Sequence, residues 1–121
     1  MLFPLENQLE EAVKEYTNAI ELNIPDKRKM AIYYANRAFA NLKMENYGFA
    51  IADSEEAIKA DPTYAKGYFR KASALLAIGK LKEAAAFFKK ARSFVFFSGL
   101  ILLRSISQEM MPTARRNTLS V

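Results

Sequence analysis

The sequence of 121 residues is 51% hydrophobic and 26% charged, which suits one domain of ordinary size with a substantial core. It contains no cysteine and no histidine, so disulfides, thiolate chemistry and the commonest general base are excluded. This composition argues against an enzyme, and we expect neither a cofactor nor a metal site. A chain without disulfides fits a reducing compartment, so we expect a cytoplasmic location, with the nucleus as a second one.

The net charge of +5 is divided unevenly along the chain. Residues 1–64 carry 7 basic and 11 acidic side chains, a net charge of −4, whereas residues 65–121 carry 11 basic and 2 acidic ones, a net charge of +9. Such asymmetry indicates an acidic partner for the second part, whether a peptide, a nucleic acid or a membrane surface. A basic face that serves only solubility is the alternative.

Apolar residues recur at intervals of three and four along most of the chain, which predicts an all-α fold. Turn signals divide the pattern: Glu45 and Asn46 form one break, Pro62 ends a helix, and Gly79 serves as a left-handed cap. The predicted helices cover residues 5–23, 26 or 27 to 44, 47–60 and 65–78, and a fifth runs from 81 onward.

The stretch from Ala31 to Tyr64 returns after about 34 residues, the period of a tetratricopeptide unit. Small residues return where two helices approach closely, and bulky residues return where the gap must be filled. The matched pairs are Tyr34 and Tyr68, Ala38 and Ala72, Leu42 and Leu76, Ala50 and Ala84, and Ala57 and Ala91. The pattern resembles the tetratricopeptide family, which implies a helix-turn-helix array (an α-solenoid) of about two and a half repeats. Asn41 and Ser54 depart from it, because both stand where an aromatic residue is usual.

The repeat divides the chain into four parts. Residues 1–24 match only the second helix of a first unit, residues 31–64 form a complete unit, residues 65–97 form a third, and residues 98–121 form an apolar segment and a disordered tail. No helix precedes the first part to cover its apolar face. We therefore expect an N-terminus that is marginally stable or self-associates weakly, or a fragment of a longer protein.

The repeat pattern stops after Ser93, and residues 94–103 are almost wholly apolar. This run has about half of the roughly 20 apolar residues that a membrane-spanning helix needs, so we expect no membrane span. The favoured interpretations are a capping helix packed on the last repeat, or an aberrant end such as unspliced or frameshifted sequence.

Polar side chains share a face on the first helix of each of the two later units. Asn36 and Lys43 are seven residues apart on one helix, and Lys66 and Arg70 are four apart on the next. An amide, ammonium groups and a guanidinium that converge on one groove can bind a carboxylate through charge-assisted hydrogen bonds. The predicted groove is also lined by Phe39, Phe69 and Ser73.

Asn36, Lys66 and Arg70 resemble three residues of the carboxylate clamp in those tetratricopeptide domains that hold the acidic C-terminus of cytosolic heat-shock chaperones. The lysine and asparagine that the first unit supplies in that family have no counterpart here, which implies a partial clamp and weak docking. The sequence over residues 9–92 also resembles the N-terminal domain of the serine/threonine protein phosphatase 5 family. The most similar segments are residues 31–37, 47–50 and 66–72.

This resemblance implies docking on a chaperone and, in a longer product, autoinhibition of a phosphatase. The phosphatase domain of that family requires metal-ligating histidines, so we expect no enzymatic activity from this chain. Two alternatives stay open: a truncated or alternatively spliced phosphatase product, and a generic tetratricopeptide co-chaperone scaffold. A basic nucleic-acid or membrane binder ranks last, because the chain lacks an interleaved aromatic and basic stripe, and we expect no nucleic-acid partner.

Overall fold

A computed structural model describes residues 5–109, which form five α-helices joined by short connections. The helices are α1 (Leu5–Glu21), α2 (Lys27–Lys43), α3 (Tyr47–Ala60), α4 (Ala65–Ala77) and α5 (Leu81–Glu109). The prediction of an all-α array is confirmed. The boundaries predicted for the helices differ from these by two residues or fewer.

Side chains at the connections explain where two of the helices begin and end. The carboxylate of Asp26 accepts a hydrogen bond of 3.0 Å from the backbone N–H of Lys29 and so caps α2. Asp61 has an extended backbone, as the following Pro62 requires, and this ends α3. The Tyr68 hydroxyl then donates a hydrogen bond of 2.6 Å to the carbonyl of Pro62, which ties the connection to α4.

The turns inside the two later helix pairs have the same left-handed conformation at equivalent positions. Glu45 has a φ of 62° and Gly79 a φ of 85°. In both turns the next residue donates its backbone N–H to a carbonyl five residues earlier, at 2.8 and 2.9 Å. Gly79 is thus the left-handed cap that the sequence predicts. Glu45 adopts the same conformation at a steric cost of about 1–2 kcal/mol.

Alanine dominates the contact between the helices. Six alanines at the repeated positions are at most 4% exposed: Ala38, Ala50, Ala57, Ala72, Ala84 and Ala91. Their small side chains allow the helices to approach closely, and Tyr68 is buried with them. The predicted packing role of these residues is confirmed. Leu76 is an exception among the repeated positions, since it is 50% exposed.

A glycine brings α4 against α3. A Cβ atom at Gly67 would lie 3.1 Å from Cγ1 of Ile58 and 3.5 Å from Cβ of Ala57. The missing side chain therefore permits close stacking of the two helix pairs. In this stack α4 also contacts α2, so the first helices of the two pairs lie side by side.

A polar cluster joins α1, α2 and α3. The Arg37 guanidinium donates from Nη2 and Nε to the two carboxylate oxygens of Asp53, at 2.7 and 3.0 Å, and from Nη1 to the hydroxyl of Thr17 at 3.1 Å. The amide of Asn41 donates to the same carboxylate at 3.1 Å. This bond explains a polar residue where the family usually has an aromatic one. Ser54, the other departure, is fully buried and donates its hydroxyl to a carbonyl of its own helix at 2.6 Å.

The helix α1 packs mainly on α2. None of its residues is buried, and Leu5 at its start and Leu22 just after its end are 67% and 75% exposed. The assignment of residues 1–24 to an incomplete first unit stays a prediction. The same holds for the other parts of that division, which are residues 31–64, 65–97 and 98–121.

The apolar run is helical, but it continues α5 without a break. The expectation of a separate capping helix at residues 94–103 is wrong, because neither a proline nor a left-handed residue interrupts α5 there. None of the helices within residues 5–109 is both long enough and apolar enough to cross a membrane. The tail predicted to be disordered, residues 110–121, lies outside the described residues.

Candidate functional site

The helices α2 and α4 present side chains of a single charge sign. Together they carry eight basic and no acidic residues: Lys27, Arg28, Lys29, Arg37, Lys43, Lys66, Arg70 and Lys71. The helices α1 and α3 carry eight acidic and two basic residues. An anion is therefore attracted to the side of the array formed by α2 and α4.

Arg70 lies at the contact between these two helices. Its guanidinium carbon lies 4.2 Å from the ring centroid of Phe39 on α2 and 5.8 Å from that of Phe69 on α4. The side chain is half-buried, and its Nε is buried without a hydrogen-bond partner. Burial lowers the pKa of the Arg70 guanidinium below its ordinary value, and the nearby Tyr64 opposes this shift only in part. Arg70 is thus a desolvated cation with an unused donor, held in place by an aromatic ring.

Two lysines stand on either side of this arginine. Lys43 places its Nζ 5.3 Å from the centroid of the same Phe39 ring, and Lys66 lies exposed one turn before Arg70 on α4. The ion pairs found among residues 5–109 are Arg28–Asp61, Arg37–Asp53 and Lys71–Glu55. None of these three pairs includes Lys43, Lys66 or Arg70, so their charges are available to a ligand.

A cavity of about 440 Å³ adjoins Arg70 between α4 and α5. Its lining residues are Ala65, Lys66, Phe69, Arg70, Phe88, Ala91, Arg92 and Val95. The rings of Phe69 and Phe88 meet edge to face, with their centroids 5.4 Å apart. Phe88, Arg92 and Val95 were not predicted from the sequence, although their spacing of four and three residues on α5 indicates a shared face.

The predicted site residues are only partly brought together. Lys43 and Arg70 both lie against the ring of Phe39, and Lys66 and Phe69 line the cavity with Arg70. Asn36 is half-buried on α2, seven residues before Lys43, and takes part in none of the hydrogen bonds described for residues 5–109. Ser73 donates its hydroxyl to the carbonyl of Phe69 in its own helix at 2.9 Å and is not among the cavity residues.

This arrangement is suited to binding an anion beside an apolar group. A carboxylate at the Arg70 guanidinium would accept hydrogen bonds in a partly desolvated place, where charge-assisted hydrogen bonds are strongest. The aromatic rings of Phe69 and Phe88 offer an adjacent apolar surface. A peptide that combines a carboxylate with an apolar side chain matches both features.

Comparison with known proteins identifies the repeat. The tetratricopeptide-repeat sequence profile matches residues 65–91. The human serine/threonine-protein phosphatase 5 is 47% identical over 75 residues, which cover 62% of this chain but only 14% of that protein. The chain therefore spans a small part of the length of the curated relatives that it matches.

Two solved structures share the fold. The TPR domain of Arabidopsis OM64 superposes with a TM-score of 0.66 and 36% identity, over 73% of this chain and 69% of that chain. The Hsp90 co-chaperone Cns1 from Saccharomyces cerevisiae has a TM-score of 0.62 over 93% of this chain and 39% of that chain, and its 23% identity supports the fold alone. The repeat profile, the relatives and the shared fold lead to one conclusion: the chain belongs to the tetratricopeptide-repeat family and is a protein-interaction module of that family.

Proposed function

We propose that this module binds the free C-terminal carboxylate of an acidic peptide at the junction of α2 and α4. Arg70 and Lys66 bind the peptide carboxylates from α4, and Asn36 and Lys43 bind them from α2. Phe39 holds the Arg70 guanidinium in position through the contact of 4.2 Å. Ser73 and Phe69 belong to the same groove in this proposal.

The observation that carries the proposal is the buried Nε of Arg70, which has no partner. A buried donor without an acceptor costs about 1–3 kcal/mol, and more when the group is charged. A ligand carboxylate at the rest of the guanidinium offsets that cost, and Lys43 and Lys66 add positive charge nearby. Arg70 therefore gains more from an anionic ligand than a fully solvated surface arginine would gain.

The partner that we propose is the acidic C-terminal tail of a cytosolic heat-shock chaperone. Support comes from the identity and spacing of Asn36, Lys66 and Arg70, which match the clamp of the tetratricopeptide domains that hold such tails. Support also comes from the 47% identity to human serine/threonine-protein phosphatase 5. We propose that the chain acts in the cytoplasm, and secondarily in the nucleus, as the targeting or autoinhibitory part of such a phosphatase.

A generic co-chaperone scaffold is a second candidate function. A specific observation favours it: yeast small glutamine-rich tetratricopeptide repeat-containing protein 2 is 44% identical over 79 residues, a level close to that of the phosphatases. A scaffold and a phosphatase segment would share the same peptide site. They differ in whether the module inhibits a phosphatase catalytic domain when the two are mixed, which a phosphatase assay measures.

Calorimetric titration with an acidic peptide that ends in Met-Glu-Glu-Val-Asp tests the proposal. The matched control is the same peptide with an amidated C-terminus, which removes one negative charge and keeps every side chain. We expect binding of the free-acid peptide and binding at least about tenfold weaker for the amide, because one charge-assisted bond contributes about 1.5–3 kcal/mol. Equal affinity for the two peptides would refute recognition of the terminal carboxylate.

A further inference from the structure

The C-terminal half of α5 extends beyond the helix pairs with its apolar side chains in water. Each large apolar residue there is between 46% and 67% exposed: Val95, Phe96, Phe97, Leu100, Ile101, Leu102, Leu103 and Ile106. Single exposed apolar residues are ordinary on protein surfaces, but eight on three turns of one helix form a continuous patch. We call residues 95–106 the overhang.

A regular seam runs along α5 from the cavity into the overhang. The positions 88, 92, 95, 99, 102 and 106 follow one another at alternating intervals of four and three residues. That spacing is the heptad pattern by which two helices pack side chains of one into gaps of the other. Phe88 and Val95 on this seam line the cavity of about 440 Å³, and Leu102 and Ile106 extend the seam past it.

Gly99 lies in the middle of this seam, and no contact within the described part of its own chain requires a glycine there. A Cβ atom placed there would meet nothing within 4 Å. A glycine inside a helix costs about 0.5–1 kcal/mol relative to alanine, and Gly99 has no turn or positive φ to offset that cost. The missing side chain leaves a gap on a seam of otherwise large side chains. A large side chain of a second helix can fill that gap.

We propose that two copies of this chain associate through α5, antiparallel, with the seam of each copy packed on the seam of the other. In the register that pairs seam positions, Leu102 of one copy enters the gap left by Gly99 in the other. Val95 then packs against Ile106 at the mouth of the cavity. The overhangs of the two copies thereby cover each other.

The antiparallel direction follows from charge and shape. Residues 65–121 have a net charge of +9, and a parallel pair would bring two such basic regions side by side. In an antiparallel pair the two bodies lie at opposite ends of the seam. Ile106 of each copy then also reaches Val95 at the edge of the cavity between α4 and α5 of the other copy.

The area available suits a weak, reversible dimer. Eight side chains that are about half exposed offer roughly 800 Å² of apolar surface per copy, since large apolar side chains have about 150–250 Å² each. Burial of about half of that surface on each copy gives about 800 Å² for two copies, which is in the range of weak, transient interfaces. This association differs from the weak self-association expected through α1, which stays a prediction, and from the peptide site.

Sedimentation equilibrium of the full chain, without peptide, tests the proposal against its 13.7 kDa mass. We expect a monomer–dimer equilibrium at micromolar concentrations. Leu102→Asp should weaken the dimer at least about tenfold, because the charge falls on the seam. The matched control is Leu100→Asp, which places the same charge at an exposed leucine of the overhang that is off the seam.

A second variant distinguishes the interface from helix stability. Gly99→Leu should raise the helical content of the monomer, measured by circular dichroism, because leucine is the better helix former and meets nothing in its own chain. The same change should weaken the dimer at least about tenfold, because it fills the gap. A purely local role for Gly99 predicts no effect on the dimer.

The register is tested by disulfide trapping, since the chain has no native cysteine. A mixture of Gly99→Cys and Leu102→Cys chains should form mixed disulfides under mild oxidation, because facing residues lie within the reach of a disulfide. A mixture of Gly99→Cys and Leu100→Cys chains should not. Three results would overturn the proposal: a monomer at all concentrations up to about 200 μM, equal disruption by Leu100→Asp and Leu102→Asp, or a monomer that binds vesicles of phosphatidylcholine and phosphatidylserine instead.

Discussion

Two partly buried arginines on neighbouring helices have opposite surroundings. Arg37 on α2 makes two hydrogen bonds to Asp53 and a third to Thr17. Arg70 on α4 rests on the ring of Phe39 and leaves a buried Nε without a partner. The hydrogen bonds that Arg37 donates to Asp53 raise the pKa of Arg37, whereas burial lowers the pKa of Arg70.

This difference separates a structural cation from a binding one. The charge of Arg37 is matched inside the fold, so its role is complete without a ligand. The charge of Arg70 is partly desolvated and has no counterion in the described part of the fold, so a bound anion stabilises it. The two residues are of the same type and are similarly buried. They differ in that the guanidinium of Arg37 has a carboxylate acceptor inside the fold and that of Arg70 has none within residues 5–109. The following predictions test that distinction, from the largest expected effect to the smallest.

Arg37→Ala should destabilise the fold by about 3–5 kcal/mol, because it leaves the Asp53 carboxylate buried without its ion-pair partner. Urea denaturation followed by circular dichroism measures the loss. The double variant Arg37→Met with Asp53→Leu should recover most of it, since neither charge then remains buried. A loss below about 1 kcal/mol for Arg37→Ala would mean that this pair contributes no more than an exposed salt bridge does.

Arg70→Ala should have the opposite effects, with a large loss of peptide affinity and a small loss of stability. Affinity for the free-acid peptide should fall about 10- to 100-fold, because a charge-assisted hydrogen bond contributes about 1.5–3 kcal/mol. Stability in urea should change by less than about 1 kcal/mol, because the lost contact with the Phe39 ring is offset by removal of a buried donor without a partner. Arg70→Lys should give an intermediate affinity, since it keeps the charge and loses the planar donor group. If Arg70→Ala unfolds the chain as Arg37→Ala does, the two arginines are not distinct.

Lys66→Ala should weaken peptide binding by about tenfold or less, because its ammonium is more exposed and more strongly hydrated than the Arg70 guanidinium. The effect should shrink as the salt concentration rises. Lys82→Ala is the matched control, since Lys82 is an exposed lysine at the start of α5 that does not line the cavity next to Arg70. Calorimetry at low and moderate salt measures both variants, and an equal loss in both would reduce the role of Lys66 to net charge.

The exposed pair of Arg28 and Asp61 should have the smallest effect. The Thr63 hydroxyl, at 2.6 Å, and then the Arg28 guanidinium, at 2.9 Å, hold the pKa of Asp61 below its ordinary value. A depressed carboxyl pKa stabilises the fold above about pH 4, and this contribution is lost as the pH falls through the folded-state pKa.

Asp61→Asn isolates that contribution. It should cost about 1 kcal/mol or less at pH 7, because one side chain of the pair is 53% exposed. The difference from the unchanged protein should vanish near pH 2. Urea denaturation at several pH values measures it, and a difference that grows in acid would contradict the assignment.

Periodicity and punctuation in the sequence were sufficient to predict the helices. The repeated alanines marked the close contacts between helices, and Pro62 and Gly79 marked two ends. The course of α5 after Ser93 was not predictable in this way, because the loss of the repeat pattern does not break a helix. Breaking it requires a proline or a residue in a turn conformation. Residues 94–103 contain no proline, and Gly99 among them has no positive φ.

The candidate site was predictable only where its residues lie on one helix. The spacing of Lys66 and Arg70 places both on one face of α4, and the structure finds both beside the same cavity. The contribution of Phe88 and Arg92 depends on how α5 packs on α4, which spacing within a single helix does not specify. The role of Asn41 was hidden for the same reason, because its acceptor Asp53 belongs to another helix.

The distinction between the two arginines can be observed directly in their side-chain Nε–H groups by nitrogen-15 NMR during titration with the free-acid and the amidated peptide. The Arg37 signal should be protected from solvent exchange from the outset, because it is bonded to Asp53, and it should not move. The Arg70 signal should shift and become protected with the free-acid peptide, and change less with the amide. Peptide binding that leaves the Arg70 signal unchanged would contradict the claim that this unpartnered guanidinium receives the carboxylate.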